Sequence, residues 1–307
     1  MLNSDLFFGG RRGFLFMAVK LKYPTGVRAL LMEEAAQRRQ IESRFVEMVE
    51  RAGFNEVILP IIDYVDPYAE LVTPEANRRS YRFVDREGEL VAIRSDFTPM
   101  LARALAPAMG EEELPLRLFY RGDVIRCEAS RLGSNRELFQ IGAELVGDDS
   151  VEADIEILRL TASLVRAFNA KPTIVYNDVS IAASLIERSP AVATALASKR
   201  ANGELPDDLR PIVKKLIAGE ATIADVAPFA PEAAARLKAM SKALDPDEFV
   251  LHLDDFEGTT GYYTGIRFRV YGKGLLARGG RYDRLYERFG TPAAAIGFTF
   301  TIDDLEE

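Results

Sequence analysis

The stretch from Phe119 to Glu144, FYRGDVIRCEASRLGSNRELFQIGAE, restricts the fold of this chain more than any other. Side chains alternate across a strand, so Arg126 and Glu128 share one face while Ile125 and Cys127 take the other. The second half repeats the pattern. Gln140, Gly142 and Glu144 point one way, and Phe139, Ile141, Ala143 and Leu145 form an apolar face opposite. Between the two halves, ASRLGSNRE has the composition of a polar turn. The pattern predicts a β-hairpin with one face in a core and charge gathered on the other. That charged face is either a solvated surface, as on any half-buried hairpin, or a site.

A chain of 307 residues can bury a large core, as one domain or as a domain with an insertion. No run approaches the roughly 18 apolar residues of a membrane helix. A single cysteine, Cys127, on the apolar side of the hairpin, leaves no disulfide framework and no cysteine metal site. A reducing cytoplasm, no metal and no cofactor are expected. The single histidine, His252 in VLHLDDF, reads as a structural residue of a strand. With 47 acidic against 39 basic residues and no long basic stripe, nucleic acid is not an expected partner. At the start, the arginine pair of MLNSDLFFGGRRGFLFMAVK precedes an apolar run, FLFMAV, too short for a secretory signal. Residues 1–20 read as an extension, with Met17 as a second candidate start.

Along the rest of the chain, Glu33 to Ala52 has a helical apolar period through Ala36, Ile41, Phe45, Met48 and Val49, ended by Gly53. A strand, VILPII, is expected next. A second helix should run from Thr98 to Ala106, capped by Thr98 and stopped by Pro107. A third spans Val151 to Ala170 behind Asp149 or Ser150, followed by the strand PTIVYND. Residues 180–245, rich in Ala, Leu, Lys and Glu with proline breaks, read as short helices inserted into the sheet. FVLHLDDF, TGIRFRVYG and LLARGG supply further strands before a final element at Ile296 to Leu305. The class is α+β, an antiparallel sheet flanked by helices, with a core over residues 21–307 that includes the 180–245 helical insertion.

The Arg-x-Glu of Arg126 and Glu128, followed by a loop and FQIGAE, resembles motif 2 of class II aminoacyl-tRNA synthetases in its histidyl-tRNA synthetase form. Five further segments match in the same order. GFNEVILPIID with Pro60 is similar to motif 1, and IRSDFTPMLAR to the Arg-Pro-Glu-Gly-Thr segment. GYYTG around Tyr262 and Tyr263 resembles the histidine-specific Tyr-Tyr motif, LARGGRYDRL a Gly-Gly-Arg-Tyr-Asp signature, and AAIGFTFTIDDL motif 3.

The resemblance implies an amino-acid pocket, in which buried charges must be paired. Asp96, Thr98 and Gln140 would hold the α-ammonium group of a histidine. Glu144 and Tyr263, with Tyr262 beside it, would face the imidazole, and Arg126 matches the motif 2 arginine. The remaining ATP-directed positions differ. The arginine before the Tyr-Tyr motif falls on Gly258, or on Glu257 with a shift of one residue; the closing arginine of motif 3 falls on Asp304, and the adenine-stacking phenylalanine on Leu138. A carboxylate facing a triphosphate opposes adenylate formation. The sequence also stops directly after motif 3, where an anticodon-binding domain would need about another 100 residues.

These features together resemble the regulatory subunits of short-form ATP phosphoribosyltransferase, and no aminoacylation is expected. The resemblance implies a homodimer within a hetero-oligomer with the catalytic subunit, and L-histidine as an effector that shifts the complex toward a less active state. Two other readings stay open: a synthetase-like ligase that adenylates an amino acid for a non-tRNA acceptor, and a free-standing histidine-binding dimer.

Overall fold

The central hairpin positions everything else. In the computed structural model, which describes residues 23–69, 80–110, 114–127, 135–168, 171–201, 205–256, 262–272 and 274–302, the chain begins with α1, Glu33–Arg51. Glu33 and Glu34 in its first turn and Arg51 in its last complement the helix dipole. Its apolar stripe buries Phe45 and Val49, and Phe45 meets Phe119 edge-on at 5.9 Å. Burying one such side chain is worth about 1.5–3 kcal/mol.

The expected VILPII strand does not form. A two-residue strand, β1 (Asn55–Glu56), precedes it, and a three-residue strand, β2 (Ile62–Tyr64), begins on its last residue. Pro60 has no N–H for a ladder, and the carbonyls of Leu59 and Pro60 accept from the Arg94 guanidinium at 3.0 and 3.4 Å instead. Strands β3 (Arg82–Val84) and β4 (Leu90–Ile93) complete a three-stranded sheet in the order β2-β4-β3.

Helix α2 spans Thr98–Leu105, and Thr98 is its first helical residue rather than its cap. The Thr98 N–H is instead taken by the Asp96 carboxylate at 3.1 Å. Pro107 does not end the helical path. It sits in the opening turn of a 3-10 segment, Ala106–Ala108, where its missing N–H costs nothing.

Strands β5 (Leu116–Ile125) and β6 (Glu137–Val146) form the hairpin, in register from Leu116 opposite Val146 to Ile125 opposite Glu137. Glu128 and most of its loop lie outside the described residues. Cys127 is half-buried rather than fully inside. Helix α3 (Val151–Ala167) is capped by the Ser150 hydroxyl, which accepts from the Ala153 N–H. Strand β7 (Thr173–Asp178) follows. Then come α4 (Ser180–Arg188), α5 (Ala191–Ser198), α6 (Arg210–Ala218), α7 (Ile223–Val226) and α8 (Pro231–Ala243). Leu185, Leu196, Leu216 and Leu237 from these helices share one core with Ile174 and Phe268 of the sheet.

Strands β8 (Phe249–Leu251), β9 (Ile266–Tyr271), β10 (Leu275–Arg281) and β11 (Ala295–Thr301) close the main sheet. Its order is β1-β5-β6-β11-β10-β9-β7-β8. The sheet is mixed rather than purely antiparallel. β1 pairs with β5 and β7 with β8 in parallel, while every pairing between β5 and β7 is antiparallel. His252 stands one residue past β8, exposed, with Nδ1 3.5 Å from Asp254 Oδ1; it is not an interior strand residue.

Candidate functional site

On β6 the alternation holds as expected. Ile141, Ala143 and Leu145 enter the core, and Gln140, Gly142 and Glu144 face the other way. That second face is not solvated. Glu144 is 1% exposed and Gln140 5%; Phe97 stacks on Tyr120 at 4.3 Å, and Tyr282, just past β10, with Tyr262 and Tyr263, ahead of β9, lies on the same side. A surface hairpin is therefore excluded.

Glu144 is held by hydroxyls from three other elements. Thr98 Oγ1 donates to its Oε1 at 3.0 Å and the Tyr120 hydroxyl to the same oxygen at 3.3 Å, while the Tyr282 hydroxyl donates to Oε2. Thr299 Oγ1 lies 2.5 Å from the Tyr120 hydroxyl and extends the network. Burial pushes the Glu144 carboxyl up to about 8 despite the hydroxyl bonds, which pull the other way; the negative Asp96 adds to the rise. Asp96 is also raised, by burial first, with Arg126 and the Thr98 N–H opposing. The Arg126 guanidinium donates to the Ser95 carbonyl at 3.2 Å.

The glycines of the signatures make room for this arrangement. A side-chain carbon on Gly297, opposite Glu144 in β11, would lie 1.5 Å from Glu144 Oε2. One on Gly280 would lie 2.7 Å from the Tyr263 ring. Tyr263 therefore lies flush on the sheet, its hydroxyl pushed up to about 12 by burial. Tyr262 sits 4.9 Å from Tyr263 and edge-on to Tyr282 at 5.7 Å.

Six of the seven sequence-predicted residues thus interact through hydrogen bonds, ring contacts or electrostatics: Asp96, Thr98, Arg126, Glu144, Tyr262 and Tyr263. The seventh, Gln140, lies on the same face opposite Gly122 and Thr301, and its buried Oε1 has no hydrogen-bond partner among the described residues. Thr98 spends its one proton on Glu144, so its lone pairs remain available as acceptors. With the Asp96 carboxylate and Gln140 Oε1, they make a set of acceptors suited to an ammonium group.

Sequence reasoning missed Tyr120, Tyr282 and Thr299. It also left the arginine of the Gly-Gly-Arg-Tyr-Asp signature without a role. Arg281 is 2% exposed and bonds Asp154, which is wholly buried, at 2.6 and 2.9 Å; Asp154 also pairs with Arg236. Asp283 accepts from the Ala295 N–H at 3.0 Å and fixes the start of β11. Leu138, at the position of the stacking phenylalanine, packs against the cluster of Phe97 and Tyr120. Gly258, Glu257 and Asp304 lie outside the described residues. Among the described residues, no group of three or more His, Cys, Asp or Glu is placed to hold a metal ion, and no helix is long and apolar enough to cross a membrane.

The profile of the histidyl-tRNA synthetase family matches residues 26–305. An ATP phosphoribosyltransferase regulatory subunit from Anaeromyxobacter dehalogenans is 35% identical over 314 aligned residues, covering 92% of this chain and 90% of the relative. One from Carboxydothermus hydrogenoformans is 32% identical, covering 92% and 95%. The chain belongs to the histidyl-tRNA synthetase-like family of ATP phosphoribosyltransferase regulatory subunits. Among solved structures, an ATP phosphoribosyltransferase regulatory subunit/histidyl-tRNA synthetase from Bacillus halodurans superposes with a TM-score of 0.81 at 24% identity, over 94% of this chain and 83% of that one. A histidine–tRNA ligase subunit from Alicyclobacillus acidocaldarius gives 0.73 at 25%, over 96% and 97%. The class II synthetase-like fold expected from the motifs is therefore the fold of this family member.

Proposed function

We propose that this chain is a non-catalytic subunit that short-form ATP phosphoribosyltransferase requires for activity, and that it carries the feedback response of that enzyme to histidine. The observation that carries the reading is the near full-length match to regulatory subunits of that enzyme. The acceptor set of Asp96, Thr98 and Gln140 and the clamped Glu144 support histidine as effector. In this reading those three residues hold the α-ammonium, Glu144 and Tyr263 read the imidazole with Tyr262 behind them, and Arg126 lies at the carboxylate end. A tenfold inhibition needs only about 1.4 kcal/mol of coupling between the histidine site and the catalytic subunit.

The protein acts in the cytoplasm, with no cofactor of its own and no nucleic acid as partner. It forms a homodimer inside the hetero-oligomer. Support for the dimer comes from the motif 1 segment, where Ile58 is 90% exposed and Ile61 61%, beside the half-exposed Ile62 and Tyr64. Apolar side chains so exposed within one short segment are characteristic of a covered surface.

The test is to mix the purified chain with a short-form catalytic subunit from the same source and follow phosphoribosyl-ATP formation with and without histidine. Stimulation reversed by histidine is the expected outcome. Absence of stimulation would overturn the reading.

A further inference from the structure

Beyond Glu144, the same face of the sheet carries a patch of cations. Thr299 of β11 stands directly opposite Arg278 of β10, and Arg278 directly opposite Arg269 of β9. Directly opposed residues of antiparallel strands point to the same face with Cα atoms about 5 Å apart. The Thr299 hydroxyl reaches Tyr120 in the Glu144 network, so Arg278 and Arg269 leave the sheet on the side that holds Glu144. Arg267 leaves it on the same side, about 7 Å along β9. Its opposite residue is Gly280, the glycine under Tyr263, which joins the patch to the tyrosine wall.

Like charges directly opposed across two strands repel. Asp255 pairs with both Arg267 at 3.2 Å and Arg269 at 3.3 Å. Arg278 is exposed and makes no hydrogen bond or ion pair among the described residues. In a chain with net charge -8, carboxylates are in surplus, yet none of the described ones meets it. The arginines that the synthetase resemblance directs at a triphosphate lie at other positions, and neither Arg269 nor Arg278 matches one of them.

We propose that Arg269 and Arg278 form a site for a phosphate group, beside the amino-acid pocket but built from different residues. Arginines on directly opposed residues share one face, where their guanidinium groups can present paired N–H donors that match phosphate oxygens; Arg269 stays paired with Asp255, and a phosphate supplies the counter-charge that Arg278 lacks among the described residues. The shared chemistry is the phosphate itself, whether free phosphate, diphosphate or the phosphates of a nucleotide. The proposal goes beyond the histidine reading and does not rest on it.

The full chain is titrated calorimetrically with inorganic phosphate, diphosphate and magnesium-free ATP, at ionic strength held constant with chloride. Saturable binding of at least one is expected, weakened about tenfold or more by Arg278→Ala and less by Arg278→Lys. Arg284→Ala, which removes an exposed cation elsewhere, leaves it unchanged. Diphosphate binding as tightly as ATP supports a site that reads phosphate alone, and ATP binding alone, lost in Arg278→Ala, supports one that also reads a nucleoside. No saturable binding to the unaltered chain, or equal loss in Arg278→Ala and Arg284→Ala, overturns the site. Because Arg278 is exposed, both substituted chains are expected to melt with the parent, and Arg278→Gln provides a second neutral variant.

Discussion

Replacing Glu144 by Gln isolates the cost of a buried carboxyl. The carboxyl titrates at an ordinary value of 4.5 in the unfolded chain and at about 8 in the folded one. The folded state therefore holds a proton across this window that the unfolded state has already lost. Its contribution to stability is fully present below pH 4.5 and is lost progressively as the pH rises to about 8. At ~1.4 kcal/mol per pH unit, the gap makes about 5 kcal/mol at alkaline pH and about 3 kcal/mol at pH 7. Glutamine keeps the shape and does not titrate, and the Thr98, Tyr120 and Tyr282 hydroxyls can turn to accept from its NH₂ group. Urea unfolding of both proteins between pH 5 and pH 8.5 reads the difference directly. The unaltered protein should lose stability relative to Glu144→Gln by about 4 kcal/mol across that range. Parallel curves would refute the desolvated carboxyl, and a gap that widens toward acid would reverse its sign.

Glu144→Ala should abolish histidine binding in calorimetry while the protein still melts cooperatively, whereas Arg126→Ala should weaken it less; undiminished affinity in Glu144→Ala would remove this residue from the pocket. Arg281→Met leaves Asp154 with Arg236 alone in a buried setting and should cost about 3–5 kcal/mol in chemical denaturation. A loss under 1 kcal/mol would mean that water reaches Asp154. Ile58→Lys places a charge at the most exposed apolar position of the motif 1 segment and should shift the protein toward monomer in analytical ultracentrifugation; an unchanged sedimentation coefficient would place the dimer contact elsewhere.

Much of the fold was legible because its signals are local. The period-two alternation of β6 and the helical period of α1 depend only on which face is buried, and Ser150 caps α3 through a residue three positions away. The VILPII segment was misread because its β-propensity is overridden from a distance: Arg94, more than thirty residues on, takes the carbonyls a neighbouring strand would have used. Thr98 has the composition of a cap, but the helix begins on it rather than after it, and its hydroxyl donates across the fold to Glu144.

The sequence by itself determined the family and the hairpin, since ordered motifs and alternation survive without any knowledge of contacts. Only the tertiary structure decided the surroundings of Glu144. Tyr120 and Tyr282 reach Glu144 from β5 and from the end of β10, Thr299 of β11 reaches Tyr120, and desolvation, which raises the pKa of Glu144, belongs to no residue alone. The cation patch is equally a product of register. Arg269 and Arg278 become neighbours only when β9 and β10 pair, because proximity across a sheet is set by hydrogen bonding between strands and not by distance along the chain.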